Sequence, residues 1–390
     1  MRIVGRAGVG VDNIDVKEAT KNGIMVMNTP GGNTVSTAQL AMSLLCALAR
    51  NIPAADMSIK SGKWDRKSFT GIEMQGKTLG VIGCGRIGQE VAKCAASMGM
   101  SVLGYDPVMT AAAFQEAGLA QADLPEIYRR ADFITVHTPM TPETRNLLNE
   151  TTLMQCKKGV RIINCARGGI VDETALLQML ESGQVGGAAL DVFTSEPPQE
   201  HLRALIAHPN LVCTPHLGAS TDEAQINVAR DIATQMCDVF DQKDYFGVMN
   251  VSYLAASTQT HMKPFMRLAE TIGAMQAQLS SSRVTKVVLK TMGGRDANIT
   301  TKQARQLLEA QVLKGLLKHQ GQGQLSPDMI SAPAMAKEAG VEAVSSPEEA
   351  PELTGGQFWN LLSVEATREN GTTAKVTGAV FGNQPHIVQV

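Results

Sequence analysis

A chain of 390 residues with 44% hydrophobic content is long enough for two or three domains and a sizeable core, and with only 4% aromatic residues that core must be aliphatic and Met-rich. Net charge is −2 with acids and bases interspersed, which excludes a nucleic-acid footprint and a polybasic membrane patch and points to a small-molecule ligand. The seven cysteines are scattered without CxxC or His/Cys clusters, so they read as reduced thiols and neither a disulfide framework nor a metal site is expected.

The segment Met1 to Arg6 lacks the apolar core of a signal peptide, and Leu40 to Ala49 is too short to span a bilayer; a cytoplasmic location is expected. Leu79 to Ile82 predicts a short buried parallel strand, followed by Gly83-Cys84-Gly85-Arg86-Ile87-Gly88, a helix over Gln89 to Met98, a second strand over Val102 to Tyr105, and then Asp106. GxGxxG alone is weak, since 36 glycines produce chance matches, and an ordinary Gly-rich turn is the alternative. In this setting the three glycines allow a sharp turn at Gly83, close approach of a pyrophosphate at Gly85, and tight helix-on-strand packing at Gly88. The helix start supplies N–H donors and partial positive charge, and Asp106 stands where an acid takes an adenosine ribose. An aspartate there, with no Arg or Lys before Arg129, favours NAD over NADP.

Further strands are expected at Phe133 to Val136, Val160 to Asn164, Ala188 to Val192 and Leu211 to Cys213, with a helix over Thr174 to Leu180 opened by Asp172 and Glu173 as cap and dipole partners. Strands alternating with helices define a doubly wound parallel sheet, whose ligands sit at the strand C-termini. The polar groups there are Asp106, His137-Thr138-Pro139, Cys165-Ala166-Arg167, Asp191 and His216. Arg167, between small residues, can grip a carboxylate through two parallel bonds, although a surface arginine at a turn would look similar. Glu196 is stiffened by Pro197 and Pro198, and His216 can exchange a proton near neutral pH; alone, the histidine would be structural. Gln320 to Gln324 and Ser345 to Gly356 read as polar loops, and Gly378 to Gly382 with His386 to Val390 as paired strands.

With these residues in hand, the chain resembles the D-isomer-specific 2-hydroxyacid dehydrogenases. The matching stretches are Gly5 to Asp15, Asn28 to Pro30, Gly62 to Trp64, the Gly83 loop, Asn164 to Glu173, Asp191 to Pro198 and Pro215 to Ser220. The resemblance implies NAD as cofactor and, in the branch matched best, oxidation of 3-phosphoglycerate to 3-phosphohydroxypyruvate, which opens serine biosynthesis. It implies that Arg167 binds the substrate carboxylate, that His216 takes the hydroxyl proton, and that Glu196 orients His216. Gly83, Gly85, Arg86, Ile87 and Gly88 would follow the pyrophosphate and Asp106 the ribose. Thr138, Cys165 and Asp191, with Pro139, Ala166, His216 and Gly218, would line the nicotinamide side, and Val9 and Gly10 would offer backbone donors to the substrate. Trp64, with Arg66 and Lys67, resembles an arm that crosses between subunits, implying a homodimer or homotetramer; simple surface packing is the other reading.

The implied fold is a Rossmann-type NAD domain over residues 31–216, flanked by a partial flavodoxin-like substrate domain (1–30 and 217–250) and a C-terminal α+β extension (251–390) that resembles part of the family's intervening domain. Residues 2–5 match a strand that in the family follows earlier βα units, one of which carries a further substrate arginine, so a truncated substrate half is expected, with no terminal regulatory domain. The same three residues would serve another 2-hydroxyacid such as glycerate, an NAD-sensing corepressor, or an inactive truncated isoform.

Overall fold

The computed structural model describes residues 1–292, 299–320, 326–347 and 360–390, and the chain divides into two compact units, one of residues 31–227 and one of residues 1–30 with 228–390. In chain order the first strands are β1 (Ile3–Gly5) and β2 (Met25–Met27), a parallel pair. The next seven are β3 (Thr78–Ile82), β4 (Ser101–Tyr105), β5 (Ala120–Gln121), β6 (Phe133–Val136), β7 (Val160–Asn164), β8 (Val185–Leu190) and β9 (Leu211–Cys213). The last five are β10 (Val284–Met292), β11 (Glu342–Pro347), β12 (Leu361–Arg368), β13 (Thr373–Phe381) and β14 (Gln384–Gln389).

In the unit of residues 31–227 the strands form one parallel sheet in the order β5-β4-β3-β6-β7-β8-β9. Strand order reverses between β3 and β6, so the C-terminal ends of those two strands form the crevice of a doubly wound sheet. Helices cover both faces, which is why the central strands β3 and β6 to β8 are mostly buried and do not alternate. Leu79, Val81, Phe133, Ile163 and Ala189 pack toward helices Thr34–Ala49 and Arg86–Ser97, while Ile82, Ile134, Val136, Ile162 and Leu190 share a cluster with helices Leu124–Arg130 and Glu173–Glu181.

In the other unit β10 pairs in parallel with β11 and antiparallel with β12, followed by β13 and β14. Helices Met262–Gln278 and Lys302–Gln320 close its core over Leu268, Ile272, Leu308, Leu289 and Val364. Among the described residues no single helix is long and apolar enough to cross a membrane.

Several boundaries differ from the sequence reading for local reasons. The helix expected from Gln89 starts at Arg86, capped by Gly85, so the second half of the glycine motif is itself the first helical turn. The strand expected from Ala188 to Val192 runs Val185–Leu190; Gly186 and Gly187 pair in it although they add no apolar signal, and the chain then turns so that the Asp191 N–H reaches the Asn164 carbonyl. Gln320 ends a helix, and Ser345 to Pro347 extend β11 alongside β10, where ladder bonds outweigh their polar side chains; residues 321–324 and 348–356 of those two expected loops lie outside the described residues. The expected C-terminal strand pair is present as β13 and β14, with Gly378 opposite Ile387.

Candidate active site

Gly83 leaves β3 with φ +94°, a conformation open to glycine, and a Cβ there would lie 2.6 Å from the His137 carbonyl oxygen at the end of β6. A Cβ on Gly88 would strike the Gly83 oxygen at 2.0 Å, so the helix sits directly on the turn. A Cβ on Gly85 would meet nothing within 4 Å. The first and third glycines thus answer to the protein itself and the second to open space, which is the division of labour a dinucleotide requires. Gly85 and Arg86 are exposed and Ile87 half-buried at the helix start, on the path a pyrophosphate would take.

Asp106, at the end of β4, takes the Cys84 N–H on Oδ2 (3.0 Å) and the Val108 and Met109 N–H groups on Oδ1 (2.9 and 3.2 Å). These bonds aim the carboxylate over the loop and leave it lone pairs for a ribose hydroxyl. Thr138 Oγ1 is buried without a hydrogen-bond partner in the described residues, and the Pro139 carbonyl is occupied by the Thr144 hydroxyl. Burial, with the Asp106 charge, pushes the Cys84 thiol up to about 12, and burial beside Asp191 pushes Cys165 up as well, so both thiols are neutral.

Strands β7, β8 and β9 are adjacent in the sheet, so their C-terminal loops, carrying Arg167, Glu196 and His216, emerge side by side. Asn164, almost fully buried, shapes the first loop: its Oδ1 accepts from the Ala166 N–H and its Nδ2 donates to the Arg167 carbonyl. The Arg167 guanidinium donates back to the Ala166 carbonyl, and a Cβ at Gly168 would overlap the Phe193 carbonyl, which places this turn against the β8 loop. In that loop Glu196, whose bond to Pro197 is cis, accepts the Phe193 N–H on Oε1 and meets His216 Nδ1 with Oε2 at 2.7 Å. A carboxylate can only accept, so Nδ1 carries a proton, and in the neutral ring Nε2 keeps its lone pair.

His216 has φ +57°, an unusual backbone for a non-glycine residue. Asp191 holds it there. This carboxylate is 1% exposed and takes the Thr214 hydroxyl (2.5 Å), the Leu217 N–H (2.7 Å) and the Gly218 N–H (2.9 Å), while its carbonyl takes the His216 N–H. Thr37 adds a bond from its hydroxyl to the Gly218 carbonyl.

Sequence reasoning missed three of these groups: Asn164 and Asp191 as brackets, and Glu173. Asp172 caps helix Glu173–Glu181, whereas the Glu173 side chain accepts the Thr194 N–H at 2.7 Å and so steadies the Glu196 loop. In the sequence Asn164 and Asp191 showed only as polar residues at the end of an apolar strand, and Glu173 only as an acid in a first helical turn. Val9 and Gly10 lie in the other unit, where Asn28 and Arg6 hold their carbonyls and neither N–H has an acceptor among the described residues. Trp64 is 81% exposed and follows helix Ile52–Lys60, which buries none of its residues.

Fold and site define an NAD-linked dehydrogenase domain, and residues 42–218 match the model of the D-isomer specific 2-hydroxyacid dehydrogenase NAD binding domain. Residues 261–390 match the D-3-phosphoglycerate dehydrogenase intervening domain. The chain is 45% identical over 387 residues to D-3-phosphoglycerate dehydrogenase of Homo sapiens, covering 99% of this chain and 70% of that protein. The enzyme of the same name from Bacillus subtilis is 41% identical over 375 residues, 95% of this chain and 68% of that one. The crystal structure of the TT0316 protein from Thermus thermophilus superposes with a TM-score of 0.58 at 35% identity, covering 64% of this chain and 79% of that chain. The chain belongs to the D-3-phosphoglycerate dehydrogenase family, NAD-dependent enzymes of the 2-hydroxyacid dehydrogenase class.

Proposed function

We propose that this chain oxidises 3-phosphoglycerate to 3-phosphohydroxypyruvate at the ends of β7, β8 and β9, as the opening step of serine biosynthesis. The observation that carries the reading is the 2.7 Å contact between His216 Nδ1 and Glu196 Oε2 on loops adjoining that of Arg167. NAD, bound along the Gly83 loop, supplies the acceptor for the two electrons and hydrogen leaving C2. Arg167 binds the substrate carboxylate through its planar fork and draws electron density from the C2 oxygen. His216 Nε2 takes the C2 hydroxyl proton, and the resulting imidazolium is favoured by the Glu196 carboxylate beside it. Asp191 keeps His216 in its left-handed backbone, and Asn164 shapes the Arg167 turn.

The exposed Trp64, together with Met57 and Ile59 at 70% and 54% exposure, supports a symmetric homodimer or homotetramer, and the reduced buried thiols suit the cytoplasm. Incubation with NAD and 3-phosphoglycerate, with the keto product trapped by hydrazine, is expected to raise NADH absorbance steadily. A flat trace from protein that binds NAD would sink the proposal.

A further inference from the structure

The loop of residues 192–198 presents Glu196 to His216. Two of its hydrogen bonds stay inside it, from the Phe193 N–H to Glu196 Oε1 and from the Ser195 hydroxyl to the Pro197 carbonyl. Among the described residues one bond alone ties this loop to a part of the chain other than His216: the Thr194 N–H donates to Glu173 Oε1 at 2.7 Å, across 21 residues of sequence.

Glu173 is free for that task because Asp172 caps the helix it opens, taking the Thr174 and Ala175 N–H groups on Oδ1. The same Phe193–Thr194 peptide also lies against Gly168, where a Cβ would come within 1.9 Å of the Phe193 oxygen and 2.5 Å of the Thr194 nitrogen. Gly168 and Glu173 belong to the segment that leaves β7 with Arg167, so that segment grips the peptide at two points. The segment is itself anchored between those points, since the Leu148 N–H donates to the Ile170 carbonyl and the Asp172 N–H to the Leu148 carbonyl. The Thr194 bond lies at the surface, where water could satisfy the N–H without fixing where the peptide sits. Its contribution is therefore to position and little to stability.

We infer that Glu173 is a positioning residue for the proposed oxidation: it clasps the Phe193–Thr194 peptide onto the Arg167 segment and so keeps Glu196 within hydrogen-bond reach of His216 Nδ1. It touches no reacting atom. The role rests on the reading of Arg167, Glu196 and His216 as the reacting loops, whereas the clasp itself has a readout that needs no turnover.

The full chain, isotopically labelled at histidine nitrogen, supplies that readout by NMR. The His216 Nδ1 proton, assigned by its loss in His216→Gln, is expected in the parent, lost to exchange with water in Glu173→Ala, and kept in Glu173→Gln, whose amide oxygen still accepts the Thr194 N–H. In the oxidation of 3-phosphoglycerate, Glu173→Ala should lower kcat about tenfold, the scale of one hydrogen bond, with KM for NAD within about twofold and melting unchanged, and Glu173→Gln should restore it. In a Glu196→Gln background the Glu173→Ala change should add nothing, because both act through one side chain. A retained Nδ1 proton in Glu173→Ala, a Glu173→Gln variant as slow as Glu173→Ala, losses that multiply in the double variant, or NAD affinity falling in step with kcat would each overturn the assignment. A parent that binds NAD without turnover, yet whose Nδ1 proton depends on Glu173, would uphold the clasp and overturn the oxidation reading alone.

Discussion

Two strand ends of the same sheet turn through the left-handed region, one at Gly83 after β3 with φ +94° and one at His216 after β9 with φ +57°. The first does so with a residue that has no side chain, for which that backbone carries no Cβ penalty. The second carries the imidazole proposed to take the substrate proton, a role glycine could not fill, and a non-glycine residue in that region costs roughly 1–2 kcal/mol. Asp191 offsets that cost by accepting three hydrogen bonds on its carboxylate and the His216 N–H on its carbonyl. In the proposed mechanism, cofactor binding would rest on backbone geometry at one turn and proton transfer on a side-chain lattice at the other.

The sharpest way to break this comparison is His216→Ala. Turnover is expected to fall about 10²- to 10⁴-fold, the range of a general base, while NAD affinity stays within a few-fold in a fluorescence titration. A parallel loss of NAD binding would make the His216 turn part of the cofactor site.

Asp191→Asn should come next. The amide cannot accept from all three donors, and leaving one buried N–H unsatisfied is expected to cost about 1–3 kcal/mol in urea unfolding. Turnover should fall with kcat more affected than KM, and retained kcat would show that His216 keeps its place unaided.

Gly85→Ala separates ligand from fold. Its Cβ meets no protein atom, so the melting temperature should hold while NAD affinity drops about tenfold from the lost backbone approach. Gly83→Ala, facing the His137 carbonyl at 2.6 Å, should lower both.

The smallest effect is one of pH. Burial holds the His137 ring down at about 4 against 6.5 for an exposed histidine, so below 6.5 the unfolded chain takes a proton that the folded chain refuses. Stability should therefore rise with pH over that window, by on the order of 1 kcal/mol between about pH 5 and pH 6.5. Urea midpoints should show this slope in the parent and a shallower one in His137→Gln.

How much could be read beforehand follows the same division. The Gly83 loop and Asp106 were legible because their causes are local: a turn, a close approach and an acid at fixed spacing. Arg167, Glu196 and His216 stood out as polar residues after apolar runs, though only the fold puts their strands side by side. The supports were not legible, because they act across distance in sequence. Glu173 reaches Thr194, and Asp191 reaches Thr214, Leu217 and Gly218, over separations of 21 to 27 residues. In Ser345 to Pro347 polar side chains hid a strand whose reason for existing is its neighbour β10.

In the proposed mechanism the Arg167, Glu196 and His216 loops hold a phosphorylated hydroxy acid while C2 is oxidised by NAD. Mixing the chain with NAD and 3-phosphoglycerate deuterated at C2 tests it directly by mass spectrometry of the nicotinamide. One deuterium per reduced cofactor, with a slower rate than the protiated substrate, is the expected result; reduced cofactor without deuterium, or none at all while NAD remains bound, would contradict it.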